Sequence, residues 1–139
     1  MPKDETTLDV TLPKKVRMMC NHLINHEAGI RKALEHSSFG LTYDRLCARA
    51  IAGRYHLYPL KNSLVVMEVH EGEGFKHYAG VLATGDLEEI AKSHKMIEHQ
   101  ARRLGCTKFT MDGRRGWMRV FKKYGWKEQT TIIEKSLED

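Results

Sequence analysis

Apolar positions along the chain follow a helical period as far as residue 53 and an alternating one beyond it. After Pro13, which suits a first helical turn, Val16, Met19, Cys20, Leu23 and Ile24 recur at helical spacing, and Ile30, Ala33 and Leu34 continue the stripe. Ala28-Gly29 predicts a break or bend within it. Ser37-Ser38-Phe39-Gly40 ends the stripe, and Thr42 predicts the cap of a short helix carrying Leu46, Ala50 and Ile51 up to Gly53.

From Arg54, residues 55–60, 63–70 and 75–82 read as three strands, with turns at Pro59 to Asn62 and at Glu71-Gly72-Glu73-Gly74 that predict two antiparallel hairpins. A long helix follows. Asp86 caps it with Glu89 three residues on, Leu87, Ile90, Ala91, His94, Ile97, Ala101 and Leu104 form its buried stripe, and Gly105 ends it. Cys106 to Met111 reads as a strand, Trp117, Val120, Phe121 and Tyr124 as a short helix closed by Gly125, and Trp126 to Leu137 as a last strand. A helix crossing between strands implies at least one parallel pairing. The expected class is α+β, a mixed sheet flanked by helices in a single domain over residues 1–139, with residues 1–12 as an extended or flexible arm.

Composition adds limits. At 139 residues the chain is long enough for one core, and its most apolar run, Leu64-Val65-Val66-Met67, is far below the roughly 20 residues of a membrane span. Residues 1–12 lack the pattern of a secretory signal, so a cytoplasmic location is expected, with no membrane partner. Cys20, Cys47 and Cys106 are odd in number and widely spaced, and read as small buried residues rather than disulfides, ligands or nucleophiles.

The net charge of +5 matters because of where it sits. Residues 101–127 carry Arg102, Arg103, Lys108, Arg114, Arg115, Arg119, Lys122, Lys123 and Lys127 against Asp112 alone, whereas residues 1–100 balance 13 basic with 13 acidic side chains. Such a segment suits an anionic partner, either nucleic acid or an acidic protein surface. Its aromatics, Trp117, Tyr124 and Trp126, fall at helix-stripe or helix-end positions, where burial is the expected fate rather than base stacking.

Two local segments bear a resemblance. Ala101-Arg102-Arg103-Leu104-Gly105-Cys106 at the end of the long helix, and Phe121-Lys122-Lys123-Tyr124-Gly125-Trp126 before the last strand, together with the element order, resemble the GNAT superfamily of N-acyltransferases over roughly residues 41 to 136. The resemblance implies a GNAT-like fold and a site for acetyl-CoA near Leu82, Gly85 and Arg114. In that family a glycine-rich turn at the start of the long helix holds the pyrophosphate on bare N–H groups. The corresponding turn here is Gly85-Asp86-Leu87-Glu88-Glu89-Ile90, with three carboxylates. Where the family commonly has a tyrosine acid stands Phe121, and where active members often have Asn and Ala stand Arg114 and Trp117. Gly113-Arg114-Arg115-Gly116-Trp117 also resembles small GNAT-like proteins encoded by tailed bacteriophages, which implies a virion-assembly or accessory role in the host cytoplasm or virion.

The leading expectation is a protein that acts by binding through Arg114, Arg115, Arg119, Lys122 and Lys123, without a cofactor. The alternative is an active N-acetyltransferase using acetyl-CoA, with Glu68 as general base and Tyr124 as acid. Glu68 and His70 share a strand face with Leu64 and Val66. His77 is expected opposite His70, a pair with no evident third ligand, and His22 and His26 lack the intervening Glu of a zinc helix, so no metal site is expected. No Gly-x-Ser-x-Gly elbow occurs.

Overall fold

The computed structural model describes residues 13–35, 40–111, 117–128 and 135–137. Helices α1 (Lys14–Asn25), α2 (Glu27–Leu34) and α3 (Tyr43–Ile51) precede strands β1 (His56–Pro59), β2 (Leu64–Gly72) and β3 (Phe75–Thr84). Then come α4 (Leu87–Lys92), α5 (His94–Arg103), β4 (Lys108–Met111) and α6 (Trp117–Phe121), which tightens into a 3-10 turn over Lys122–Tyr124. The described strands form one sheet in the order β1-β2-β3-β4. The first two pairings are antiparallel, and β3 with β4 is parallel, as a helical crossover requires. The result is the α+β, helix-flanked mixed sheet that the sequence predicts.

Local chemistry sets most boundaries. The Thr42 hydroxyl accepts the Arg45 N–H and starts α3. Gly105 (φ +82°) and Gly125 (φ +90°) take the left-handed conformation that ends α5 and the 3-10 turn, and the amide after each reaches back five residues, Cys106 to Ala101 and Trp126 to Phe121. His70 faces His77 across the β2–β3 hairpin, as the alternation requires.

Three features differ from the expected pattern. The first helical stretch breaks at His26 (φ −107°), not at Gly29, which lies inside α2. The long helix is two helices, because the Ser93 hydroxyl and His94 Nδ1 meet the carbonyls of Ile90 and Ala91 and compete with the helical amides for them. The strand expected over Trp126 to Leu137 falls partly on residues 129–134, outside the described residues, and 126–128 and 135–137 belong to no strand. Residues 1–12 also lie outside.

The sheet buries both faces. Val65, Met67, Tyr78 and Ala83 pack with Ile90, Ala91, Ile97, Ala101 and Phe121 of α4–α6. Leu64 and Val66 pack with Leu23, Ile30, Leu46 and Ala50 of α1–α3. Each fully buried Leu, Ile or Val contributes roughly 1.5–3 kcal/mol, so β2 secures both layers at once. No described helix is long and apolar enough to cross a membrane.

Candidate functional site

The parallel pairing of β3 with β4 ends at Gly80 and Met111. Just beyond, the β2–β3 register shifts: Met67 faces Gly80 but Val66 faces Leu82, which leaves Val81 as a bulge. A Cβ on Gly80 would fall on the Met111 thioether, so the glycine lets that side chain close the point of divergence. From there to Thr84, β3 pairs with β2 alone among the described residues.

An open cleft of about 240 Å³ lies at the end of this strand. Gly29 and Lys32 of α2, Ala83 and Thr84 of β3, Gly85, Leu87 and Ile90 of the next turn and helix, and Trp117 of α6 line it. Gly85 is forced to be glycine: its φ is +122°, and a Cβ would strike the Asn62 carbonyl and Ser63.

Three amides of the turn after Gly85 are already taken. The Asp86 carboxylate accepts the N–H groups of Glu88 (2.9 Å) and Glu89 (3.2 Å). The Asp86 N–H donates to the fully buried Ser63 hydroxyl at 2.9 Å. Glu89 does not complete a reciprocal capping box; its carboxylate accepts from the Ser63 hydroxyl and the Asn62 N–H, tying α4 to the β1–β2 turn. Glu88 pairs with Lys123 Nζ at 3.2 Å. The acidic turn and the basic segment therefore touch.

Glu68, the candidate base, sits one register position past the bulge, opposite Ala79. Its carboxylate is 3.1 Å from His70 Nε2 and 3.7 Å from Arg54 Nε. Tyr124, the candidate acid, packs with the α4–α6 core on the other side of the sheet, its ring 5.3 Å from that of His94. Leu82 packs against the α1–α3 core, across from Val66.

Arg119, Lys122 and Lys123 are exposed on α6 and its 3-10 extension, whereas Arg114 and Arg115 lie outside the described residues. The neighbouring aromatics point inward: Trp117 stacks on Phe121 (centroids 5.6 Å), and Trp126 packs against Phe121 and Phe109. Trp117 thus serves the core and the cleft together. The three cysteines are free and partly exposed, not buried as expected; Cys47 and Cys106 pack against the outside of the two cores. Burial still pushes the Cys47 and Cys106 thiols up, away from the nucleophilic thiolate. Among the described residues no three His, Cys, Asp or Glu side chains stand together as metal ligands.

A polar chain unread in the sequence crosses the α4–α6 face. The hydroxyl of Tyr78, wholly buried, lies 2.6 Å from both His56 Nδ1 and the Tyr58 hydroxyl. Burial raises the Tyr78 phenol far above its ordinary value, and burial with the charge of Lys15 lowers His56. The alternation of His56, Tyr58 and the facing Tyr78 was the available signal.

No family model matches the sequence, and no curated protein does. Solved structures do match in fold. A probable acetyltransferase is similar with a TM-score of 0.58 and 10% identity over 86% of this chain and 93% of that one. Glucosamine-6-phosphate N-acetyltransferase from Arabidopsis thaliana gives 0.54 and 9% over 84% and 94%. A possible acetyltransferase from Clostridium difficile 630 gives 0.51 and 11% over 86% and 93%. The chain has the fold of GNAT-type acetyltransferases, with the cleft at the end of β3 and the start of α4.

Proposed function

We propose that the protein acts by binding, as a GNAT-fold accessory or virion-associated protein of the type encoded by tailed bacteriophages, and that its acetyl-CoA site has been given up. The observation that carries this reading is the state of the first turn of α4. A pyrophosphate needs bare amides, but those of Glu88 and Glu89 already serve the Asp86 carboxylate, and that of Asp86 serves Ser63. A pyrophosphate would have to displace Asp86 while lying beside Glu88 and Glu89, so like charges oppose it at the amides of this turn. The residues present do not fit the group, and we derive no acyl-transfer step through it.

Binding then falls to the basic segment. Arg119, Lys122 and Lys123 offer exposed charge, with Arg114 and Arg115 adjacent in sequence, towards an anionic nucleic acid or protein surface. The phage-type assignment draws on the Gly113 to Trp117 resemblance. Calorimetry with acetyl-CoA tests the first half: no binding heat is expected, and micromolar affinity overturns it. Reversing Arg115, Arg119 and Lys122 tests the second. Retention on both immobilised duplex DNA and polyglutamate should fall, and unchanged retention removes this surface from the reading.

One observation favours active acetyl transfer as a second reading: the cleft is open, and Glu68 lies next to the point where β3 and β4 part. With Glu68 as base and Tyr124 as acid, it predicts thiol release from acetyl-CoA with an amine acceptor, falling steeply in Glu68→Gln.

A further inference from the structure

We infer that the cleft beside Gly85 takes a small amphiphilic monoanion, a carboxylate on an apolar chain, with its charge on Lys32 and its chain against Leu87, Ile90 and Trp117. This rests on the reading that the turn after Gly85 no longer serves a pyrophosphate.

The placement of Lys32 begins with Gly29. A Cβ on Gly29 would overlap the Thr84 hydroxyl, so only glycine lets α2 lie directly on the end of β3. Lys32 follows three residues later, on the same helical face, and this contact brings it to the cleft wall. It makes no ion pair among the described residues.

Charge around the cleft is asymmetric in consequence. Asp86, Glu88 and Glu89 are all close in sequence, yet none lines the cleft, and each is held by other groups: the α4 amides, Lys123, and Ser63 with Asn62. Lys32 is the one charged side chain among the described lining residues, and Thr84 adds a hydroxyl beside it. One cation and one hydroxyl match one anionic group. The larger side chains of the remaining wall, Leu87, Ile90 and Trp117, are apolar and give an apolar chain a surface to lie on.

Size narrows the class. A cleft of about 240 Å³ falls below the roughly 300–1,000 Å³ of drug-sized pockets, which suits a medium-length chain or a single ring.

Octanoate is a suitable probe, observed by the indole N–H signals of a ¹⁵N-labelled full chain. Trp117 and Trp126 are the two tryptophans, so the cleft reports separately from the core. Octanoate should move the Trp117 signal saturably and leave Trp126 in place. Lys32→Glu, an exposed change that leaves the core intact, should weaken octanoate about tenfold, while octanol should bind wild type and variant alike. An unmoved Trp117 signal, or equal octanoate affinity in Lys32→Glu, overturns the inference. Acetyl-CoA is the control arm. If it shifts Trp117 more tightly than octanoate, the reading of a lost cofactor site fails; if neither ligand binds, that reading stands and only this inference falls.

Discussion

The Ser63 hydroxyl donates a hydrogen bond to the Glu89 carboxylate while accepting one from the Asp86 N–H, so one buried side chain from the β1–β2 turn holds both ends of the first turn of α4. A helix of six residues has little intrinsic stability, and this junction fixes it in place. Ser63→Ala removes a donor and an acceptor together, leaving the Asp86 N–H without its partner and the Glu89 carboxylate with the Asn62 N–H alone. The expected loss is about 1–3 kcal/mol, read from the shift in urea midpoint at unchanged slope.

His56 makes stability depend on pH in a definite direction. Its pKa in the folded protein lies below the ordinary 6.5, so the unfolded chain binds its proton more readily. The contribution is whole above about 6.5 and is lost as pH falls from there towards the depressed folded value. His56→Gln, which keeps an acceptor for the Tyr78 hydroxyl, should flatten this acid-side fall in melting temperature. An identical pH profile in the variant would show that other groups set it.

The close approach of α2 to β3 can be measured by a double-mutant cycle. Gly29→Ala should destabilise despite the better helix propensity of alanine, because its methyl meets the Thr84 side chain. In a Thr84→Ala background much of that cost should disappear, since the hydroxyl that collides is gone. Additive effects in chemical denaturation would contradict the contact.

Lys123 and Glu88 are both about half exposed. Lys123→Ala should therefore change stability by no more than about 1 kcal/mol. A larger loss in urea denaturation would mean that the ion pair is a structural hinge between α4 and the 3-10 turn. With a small loss, any change in polyanion retention reports on binding alone.

Much of this fold is legible in the sequence because short-range chemistry fixes it. Thr42, Asp86, Gly105 and Gly125 cap or end elements where their side chains or lack of them dictate, and alternation sets His70 opposite His77. The bulge at Val81 was hidden in a run of apolar and small residues, Tyr78 to Ala83, that fits either face of a strand. The interruption at Ser93 was hidden because serine is an ordinary helix residue until its hydroxyl finds a carbonyl. For the site, the acidic turn was evident, but the inward-turned partners Ser63 and Asn62 are 23 or more residues away. Lys32 carried no signal at all, since an exposed helical lysine becomes a cleft residue only when a distant glycine lets its helix descend onto the sheet.

The sheet topology also implies an order of assembly. β1, β2 and β3 meet through short turns, whereas β4 joins only after the whole of α4 and α5 has been laid across the sheet. Loop closure of that size makes the parallel pair the costlier event. Thr84 and Gly85 thus belong to an early-formed meander, and Trp117, which follows β4, is brought to the opposite wall late. Substitutions in the β2–β3 hairpin are expected to slow folding, and those in β4 or α6 chiefly to quicken unfolding. Stopped-flow chevrons would separate these limbs and show the cleft to be the last-finished part of the molecule.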